Sequence, residues 1–177
     1  IFNQTLTQEL IRLSNKCNIP IIIDPKNKDF NIYKNASLIT PNQLEASLVT
    51  NLPCNNNKET EICAKNIMDK YIIKKVLITR GSEGLSYMEK KNTVHQPTKK
   101  IEVFDVSGAG DTVLAVLSVC ISNKISIKNS LDLANRAAGL VVGKLGTSTI
   151  SLNELFKEEQ LFINKKCSLL ELKKIVA

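Results

Sequence analysis

One run in this sequence has the residue types and spacing for chemistry on an anionic group: Asp105-Val106-Ser107-Gly108-Ala109-Gly110-Asp111-Thr112. Glycines let a backbone come close to a ligand and take conformations closed to other residues. The free N–H groups of a first helical turn, at the positive end of the helix dipole, then face whatever sits there. An aspartate at such a place repels a passively bound anion. It makes sense where a hydroxyl must lose its proton while charge develops on a phosphoryl group beside it. Asp111 is then the base, and the N–H groups of Gly108, Ala109 and Gly110 form the anion hole. The plainer alternative is a helix capped by aspartate, a good N-cap residue. The elements needed are a strand leading in, read from Lys100 to Val106, and a helix leading out, from Thr112 to about Ser122.

A second candidate is Asn42-Gln43-Leu44-Glu45, after Pro41 and ahead of the helical pattern of Leu44, Leu48 and Val49. Pro41 marks a helix start. Asn42 and Glu45 are three apart and share one face of the first turn. Such a pair can hold hydrated Mg²⁺, which keeps its waters and needs few protein ligands. It can equally close a capping box, with Glu45 bonding back to the Asn42 N–H. Lys26, in Asp24-Pro25-Lys26, follows an apolar run and is either a charge near a transferred phosphate or a solvated turn lysine. Thr79, Gly81 and Gly84 mark a turn after another strand, weak evidence by themselves.

The positioning elements read in order as follows. A helix spans 3 to 17, with Thr7 as its cap and Leu6, Leu10, Ile11 and Leu13 on its apolar face. Ile19 to Ile23 is a strand buried on both faces, and Ser37 to Thr40 is a second. A loop covers Asn51 to Lys58, and a helix Glu59 to Tyr71. A strand follows at Val76 to Thr79, then hairpin arms at Leu85 to Met88 and Thr93 to Gln96, with His95 structural or solvated. The helix after the octet is apolar nearly all round and expected to be buried. Another runs from about Ile127 to Leu145, lean at Ser130, Asn135, Ala138, Gly139 and Gly143, with Gly146 placed as a left-handed C-cap. A short helix at 151 to 157, a charged connector from Lys157 to Lys166 and a helix from Ser168 to Val176 close the chain. Alternating strands and helices with short connectors specify an α/β fold, helices on both faces of a largely parallel sheet.

The 177 residues suffice for one domain with a sizeable core. The net charge of +7 invites a nucleic-acid reading, but the lysines are spread along the chain and aromatics make up only 5%. A basic surface of this kind attracts nucleotide and sugar phosphate, and nucleic acid is not expected as a partner. No run of 18 or more residues is apolar, so no membrane helix is expected. Five scattered cysteines (Cys17, Cys54, Cys63, Cys120, Cys167) without a CxxC pair fit a reducing, cytoplasmic setting, with Cys63 and Cys120 as buried thiols. One histidine and no cysteine cluster argue against zinc. The chain opens Ile1-Phe2-Asn3-Gln4 without an initiator Met or a signal-peptide pattern and reads as a piece of a longer protein.

The octet resembles the C-terminal signature of the ribokinase/PfkB sugar kinases. Glu102 to Val113, together with Ala134 to Thr147, looks like the heptose 7-phosphate kinase branch. Val116 stands where many sugar kinases have Gly or Ala, a position at which that branch tolerates a bulkier residue. The resemblance covers residues 1–151 as the nucleotide-binding and catalytic part of a ribokinase-like domain, and leaves 152–177 as a helical extension or linker. It implies ATP and Mg²⁺ as cofactors, with Asn42, Gln43, Leu44 and Glu45 at the Mg-ATP site and Glu45 acting on the metal through water. It also implies Lys26 near the transferred phosphate; Thr79, Gly81 and Gly84 against the nucleotide; and Asn135 and Gly146 at the adenine. A monovalent-cation site near Asp105 and Ser107 and an ordinary turn are both open. The expected reaction is phosphorylation of a sugar phosphate, foremost D-glycero-β-D-manno-heptose 7-phosphate at C1, for lipopolysaccharide core synthesis. Another PfkB-type kinase, such as a phosphofructokinase-like one, or an inactive nucleotide-binding remnant are the alternatives. Family members carry their sugar-binding residues and lid mainly in an N-terminal half that this sequence lacks. A nucleotidyltransferase domain follows the kinase in the bifunctional enzymes; a homodimer is one open oligomeric state.

Overall fold

The computed structural model describes residues 3–98, 105–146 and 148–156. Most of the strand expected before the octet, Thr147, and the connector and helix expected after residue 157 lie outside them.

Helix α1 (Gln4–Lys16) starts at Asn3, whose side chain accepts the Leu6 N–H at 2.9 Å. Thr7, expected as the cap, lies buried inside the helix; asparagine is the stronger cap and sits at the boundary. The expected apolar face is also turned. Ile11 is buried, while Leu6, Leu10 and Leu13 stay 40 to 50% exposed. Gln8 fixes this rotation by donating to the carbonyls of Ile32 (2.8 Å) and Lys34 (3.3 Å), which sets α1 on the 3-10 turn Phe30–Tyr33.

Strands β1 (Ile22–Ile23) and β2 (Leu38–Ile39) are shorter than expected, and β1 is half-buried because it is an edge of the described sheet. Helices α2 (Gln43–Thr50) and α3 (Asn57–Tyr71) come next. Pro41 lies one residue before the α2 N-cap. Helix α3 starts two residues earlier than expected because Asn56 accepts the Glu59 N–H at 3.0 Å. Strands β3 (Lys75–Thr79), β4 (Leu85–Glu89) and β5 (Asn92–Gln96) complete a five-stranded sheet in the order β1-β2-β3-β4-β5. β1, β2 and β3 are parallel, and β4 and β5 add an antiparallel hairpin. Helices α4 (Ala109–Ser122) and α5 (Ile127–Val142) follow.

The pleat sorts the core between the two faces. Ile39, Val76, Ile78 and Met88 pack with Ile11, Ala46, Cys63 and Ile67 on the α1–α2–α3 side. Leu38, Leu77, Leu85 and Tyr87 pack with Val113, Leu117, Leu131 and Ala134 on the α4–α5 side. The expected α/β architecture with helices on both faces is therefore present. Helix α4 is not buried all round: Val113 and Leu117 pack with the sheet, Cys120 is buried, and Val119 is 62% exposed. Helix α5 ends at Val142 with Gly143 as its C-cap, so Gly146 is not the cap. A further helix starts at Leu152 and is described to Phe156. Cys54, Cys63 and Cys120 are buried free thiols, and burial pushes the Cys63 thiol up. No described helix is long and apolar enough to cross a membrane.

Candidate active site

In a parallel sheet the strands' C-terminal ends share one edge, where α/β folds bind ligands. Here β1 leads into Asp24-Pro25-Lys26, β2 into Pro41-Asn42 and β3 into Arg80-Gly81. A parallel bridge joins Asn42 to Thr79, and the Thr79 N–H donates to the Pro41 carbonyl at 3.0 Å.

Lys26 is placed by its own loop. The Tyr33 hydroxyl accepts the main-chain N–H groups of Lys26 and Asn27, each at 3.1 Å. The ammonium pairs with Asp24 at 2.7 Å. That hydrogen bond chiefly holds its pKa above the ordinary lysine value, against some desolvation, and the charges of Asp24, Glu45 and Asp111 add to it. Lys26 thus stands in the field of both catalytic candidates. Asp24, half-buried, was noted in the sequence only as a strand-end residue.

At the start of α2 the capping box is fully formed. Asn42 Oδ1 accepts the Glu45 N–H at 2.9 Å, and Glu45 Oε2 accepts the Asn42 N–H at 2.8 Å. Glu45 Oε1 has no hydrogen-bond partner among the described residues. The box and a metal role are therefore compatible, since one carboxylate oxygen stays available for water-bound Mg²⁺, a cation that needs only one or two carboxylates. Gln43 Nε2 donates to the Cys54 carbonyl at 2.9 Å, tying α2 to the next loop, and the Leu44 side chain is exposed.

The start of α4 is built differently. Gly108 is the N-cap, in the left-handed region at φ 79°, with no side-chain cap. The helix begins at Ala109, earlier than expected, and Asp111 is its third residue rather than its cap. The Asp111 carboxylate is exposed and has no hydrogen bond to any described residue. The N–H groups of Gly108, Gly110 and Asp111 likewise have no acceptor among the described residues, whereas Ala109 N–H reaches the Val106 carbonyl at 3.3 Å. Of the three N–H groups expected to form an anion hole, those of Gly108 and Gly110 are without an acceptor among the described residues, as is that of Asp111, while that of Ala109 is engaged. Asp105 braces the turn: Oδ1 accepts the Ser107 N–H at 2.8 Å. Hydrogen bonds from Ser107, then from Gly146, hold the Asp105 carboxyl below its usual value. That is where Gly146 sits, at φ 70° with open space around it.

The two glycines after β3 part company. A Cβ on Gly81 would meet nothing within 4 Å, so it faces open space. A Cβ on Gly84 would lie 2.0 Å from the Gln96 carbonyl oxygen, so Gly84 serves close packing against β5. Asn135 closes this side, donating to the Pro97 carbonyl at 2.8 Å and accepting Thr98 Oγ1 at 3.2 Å. Thr98 also reaches the Gly81 carbonyl at 3.4 Å. Asn135 therefore braces the exit of β5. A groove of about 790 Å³ beneath α1, lined by Gln8, Arg12, Asn15 and Lys74 among others, shares no residue with this site.

Comparison with known proteins shows the family and the fold of the chain. The family profile described as pfkB family carbohydrate kinase matches residues 2–154. The bifunctional protein HldE of Aliarcobacter butzleri is 36% identical over 159 residues, covering 90% of this chain and 33% of that protein. HldE of Yersinia pestis is 43% identical over 149 residues, covering 84% and 31%. Among solved structures, Arabidopsis thaliana ribokinase complexed with ribose and ATP superposes with a TM-score of 0.81 at 23% identity, covering 88% of this chain and 52% of that one. Phosphofructokinase-2 from Escherichia coli in complex with potassium gives 0.78 at 19% identity, covering 88% and 52%. The chain therefore spans about a third of the curated relatives and half of the structural neighbours.

Proposed function

Since this chain belongs to the pfkB family of carbohydrate kinases, we propose that it is the nucleotide-binding and catalytic portion of an ATP-dependent sugar-phosphate kinase. Its substrate in this reading is D-glycero-β-D-manno-heptose 7-phosphate, converted at C1 to the 1,7-bisphosphate for ADP-heptose and lipopolysaccharide core synthesis. The observation that carries the reading is the open start of α4, with an unbonded Asp111 carboxylate beside the unpaired N–H groups of Gly108 and Gly110.

Each residue has a role in this scheme. Asp111 takes the proton of the attacking anomeric hydroxyl. The N–H groups at Gly108, Gly110 and Asp111 stabilise oxygens of the transferring phosphoryl group, helped by the helix dipole. Lys26, held by Asp24, supplies positive charge at the same edge. Glu45 is the residue that would hold Mg²⁺, with Oε1 available for it, and the ion would supply charge to neutralise the phosphates. Gly81, with open space beside it, lets the nucleotide approach the backbone. The heptose assignment rests on the resemblance of Glu102 to Val113 and Ala134 to Thr147 to that kinase branch, and agrees with the HldE relatives. Those relatives are named bifunctional, which fits a second, nucleotidyltransferase domain in the same protein.

The test is a transfer assay on the natural polypeptide that carries this chain, with ATP, Mg²⁺ and either heptose 7-phosphate or fructose 6-phosphate, read by phosphorus NMR. Formation of the 1,7-bisphosphate, lost in Asp111→Asn, supports the reading. Preference for fructose 6-phosphate overturns the heptose assignment, and transfer to neither overturns the kinase reading.

A further inference from the structure

Arg80 follows Thr79 directly and is 3% exposed, although its charge is not matched by any buried carboxylate among the described residues. Its Nη1 donates to Asn57 Oδ1 at 2.5 Å and to Ser86 Oγ at 3.1 Å, and its Nη2 to Glu83 Oε2 at 3.2 Å, on a side chain largely in solvent. Its Nε has no hydrogen-bond partner among the described residues. A buried guanidinium with an unpaired N–H is costly to keep.

The proton inventory gives the network a direction. A guanidinium only donates, so Ser86 Oγ accepts from Arg80. The Glu61 carboxylate only accepts, so His95 Nε2 donates to Glu61 Oε1 at 2.9 Å. In the neutral imidazole the other ring nitrogen, Nδ1, then accepts the Ser86 hydroxyl hydrogen across 2.8 Å. Donation runs from Arg80 through Ser86 and His95 to Glu61, joining β4, β5 and α3, and such chains reinforce one another. Asn57 and Glu61 both lie on α3, so the circuit closes on one helix.

What the circuit holds is the turn after β3. The Arg80 N–H donates to the Gly84 carbonyl at 2.8 Å, and the Arg80 carbonyl accepts the Glu83 N–H at 3.0 Å. On one side of Arg80, Thr79 is bridged to Asn42. On the other, the Gly81 carbonyl accepts Thr98, which also bonds Asn135. The two halves of the candidate nucleotide site thus meet at the residue whose side chain is clamped from beneath.

We propose that Arg80 is a positioning residue for the nucleotide: its buried guanidinium, fixed by Asn57 and by the Ser86–His95–Glu61 chain, preforms the Arg80–Gly84 turn for ATP. This rests on the kinase reading above. The sequence carries no local sign of it, because Asn57, Glu61, Ser86 and His95 are ordinary surface or strand residues until the fold brings them together.

The experiment is ATP titration of the natural polypeptide that carries this chain, with thermal unfolding as a folding check, followed by steady-state kinetics on the same protein. Arg80→Met should raise the ATP Kd and KM about 10-fold or more, by analogy with losing the partner that orients a metal ligand. Its kcat and its KM for sugar phosphate should stay near wild type, and Arg80→Lys should recover part of the loss. Ser86→Ala and Glu61→Gln, which leave the guanidinium in place, should raise the ATP KM by at least about threefold. A structural role alone would instead lower kcat through the folded fraction and leave the ATP KM unmoved. Folded variants whose ATP KM stays within about twofold of wild type overturn the inference. If Arg80→Met does not fold, Ser86→Ala and Glu61→Gln decide by the same threshold. A wild-type natural polypeptide that does not bind ATP overturns the kinase reading, and this inference with it.

Discussion

Two helices begin at the same edge of the sheet and treat their first turns in opposite ways. Helix α2 is closed by side chains: Asn42 and Glu45 exchange hydrogen bonds and occupy two of the donors at the helix start. Helix α4 is open: Gly108 offers no side chain, Gly110 leaves the second position bare, and Asp111 bonds to nothing described. A glycine cap is weaker than an asparagine cap by only a few tenths of a kcal/mol, so α4 gives up a little stability that α2 keeps. The difference teaches which helix start is finished structure and which awaits an external acceptor. Asp111→Asn sharpens it most. It keeps shape and volume and removes the base, so kcat should fall about 10³-fold while the thermal midpoint hardly moves. A variant that keeps kcat within about tenfold would remove catalysis from the open start.

The glycines provide the next break. Gly84→Ala drives a methyl group into the Gln96 carbonyl in a left-handed conformation and should cost on the order of 3 kcal/mol in chemical unfolding. Gly81→Ala meets no atom and should cost only about 1 kcal/mol, for its positive φ. Equal losses would show that the open space beside Gly81 does not distinguish it from Gly84. Gly110→Ala reverses the sign. Its Cβ meets nothing and alanine favours helix, so the fold should gain about 0.5–1 kcal/mol while ATP binding weakens. Asn42→Ala should do the ordinary thing at the closed start and lose about 1 kcal/mol. A stability gain paired with weaker binding at Gly110, and none at Asn42, is the signature of one open and one closed helix start.

The legible part of this molecule is its local part. The octet, the Asn42–Glu45 pair and the turn after β3 were all visible as spacing, because their geometry is set within a few residues. Even the ambiguity at Asn42 was well placed, since the capping box forms and still leaves Glu45 Oε1 free. What sequence could not supply depends on distant contacts. The rotation of α1 is fixed by Gln8 bonding to main chain more than 20 residues away, so an apolar stripe at helical spacing turned outward. Gly84 and Gly81 look alike in sequence and differ only because β5 passes behind one of them. Asn135 reads as a ligand contact on a lean helix until Pro97 and Thr98 take its amide. Arg80 was passed over as part of a turn.

The smallest effect belongs to a third helix start, which repeats the closed arrangement of α2. Ser151 N–H and Oγ donate to Glu154 Oε2 at 2.8 and 2.9 Å, and Ser151 Oγ accepts the Glu154 N–H at 3.3 Å. Lys144 Nζ adds a hydrogen bond to Glu154 Oε1 at 2.6 Å and joins this start to the end of α5. Lys144 first, then Ser151, lowers the Glu154 carboxyl from 4.5 to about 2. A depressed carboxylate stabilises the fold above its unfolded value, and that contribution is lost as pH falls through the folded one. Wild-type protein should therefore lose thermal stability between pH 4.5 and about 2 by slightly more than Glu154→Gln. The difference should be small, because the group is exposed to solvent, and smaller again in high salt. Identical pH profiles for the two proteins would mean that this helix start is loosely held in solution, leaving α2 as the better closed counterpart of α4.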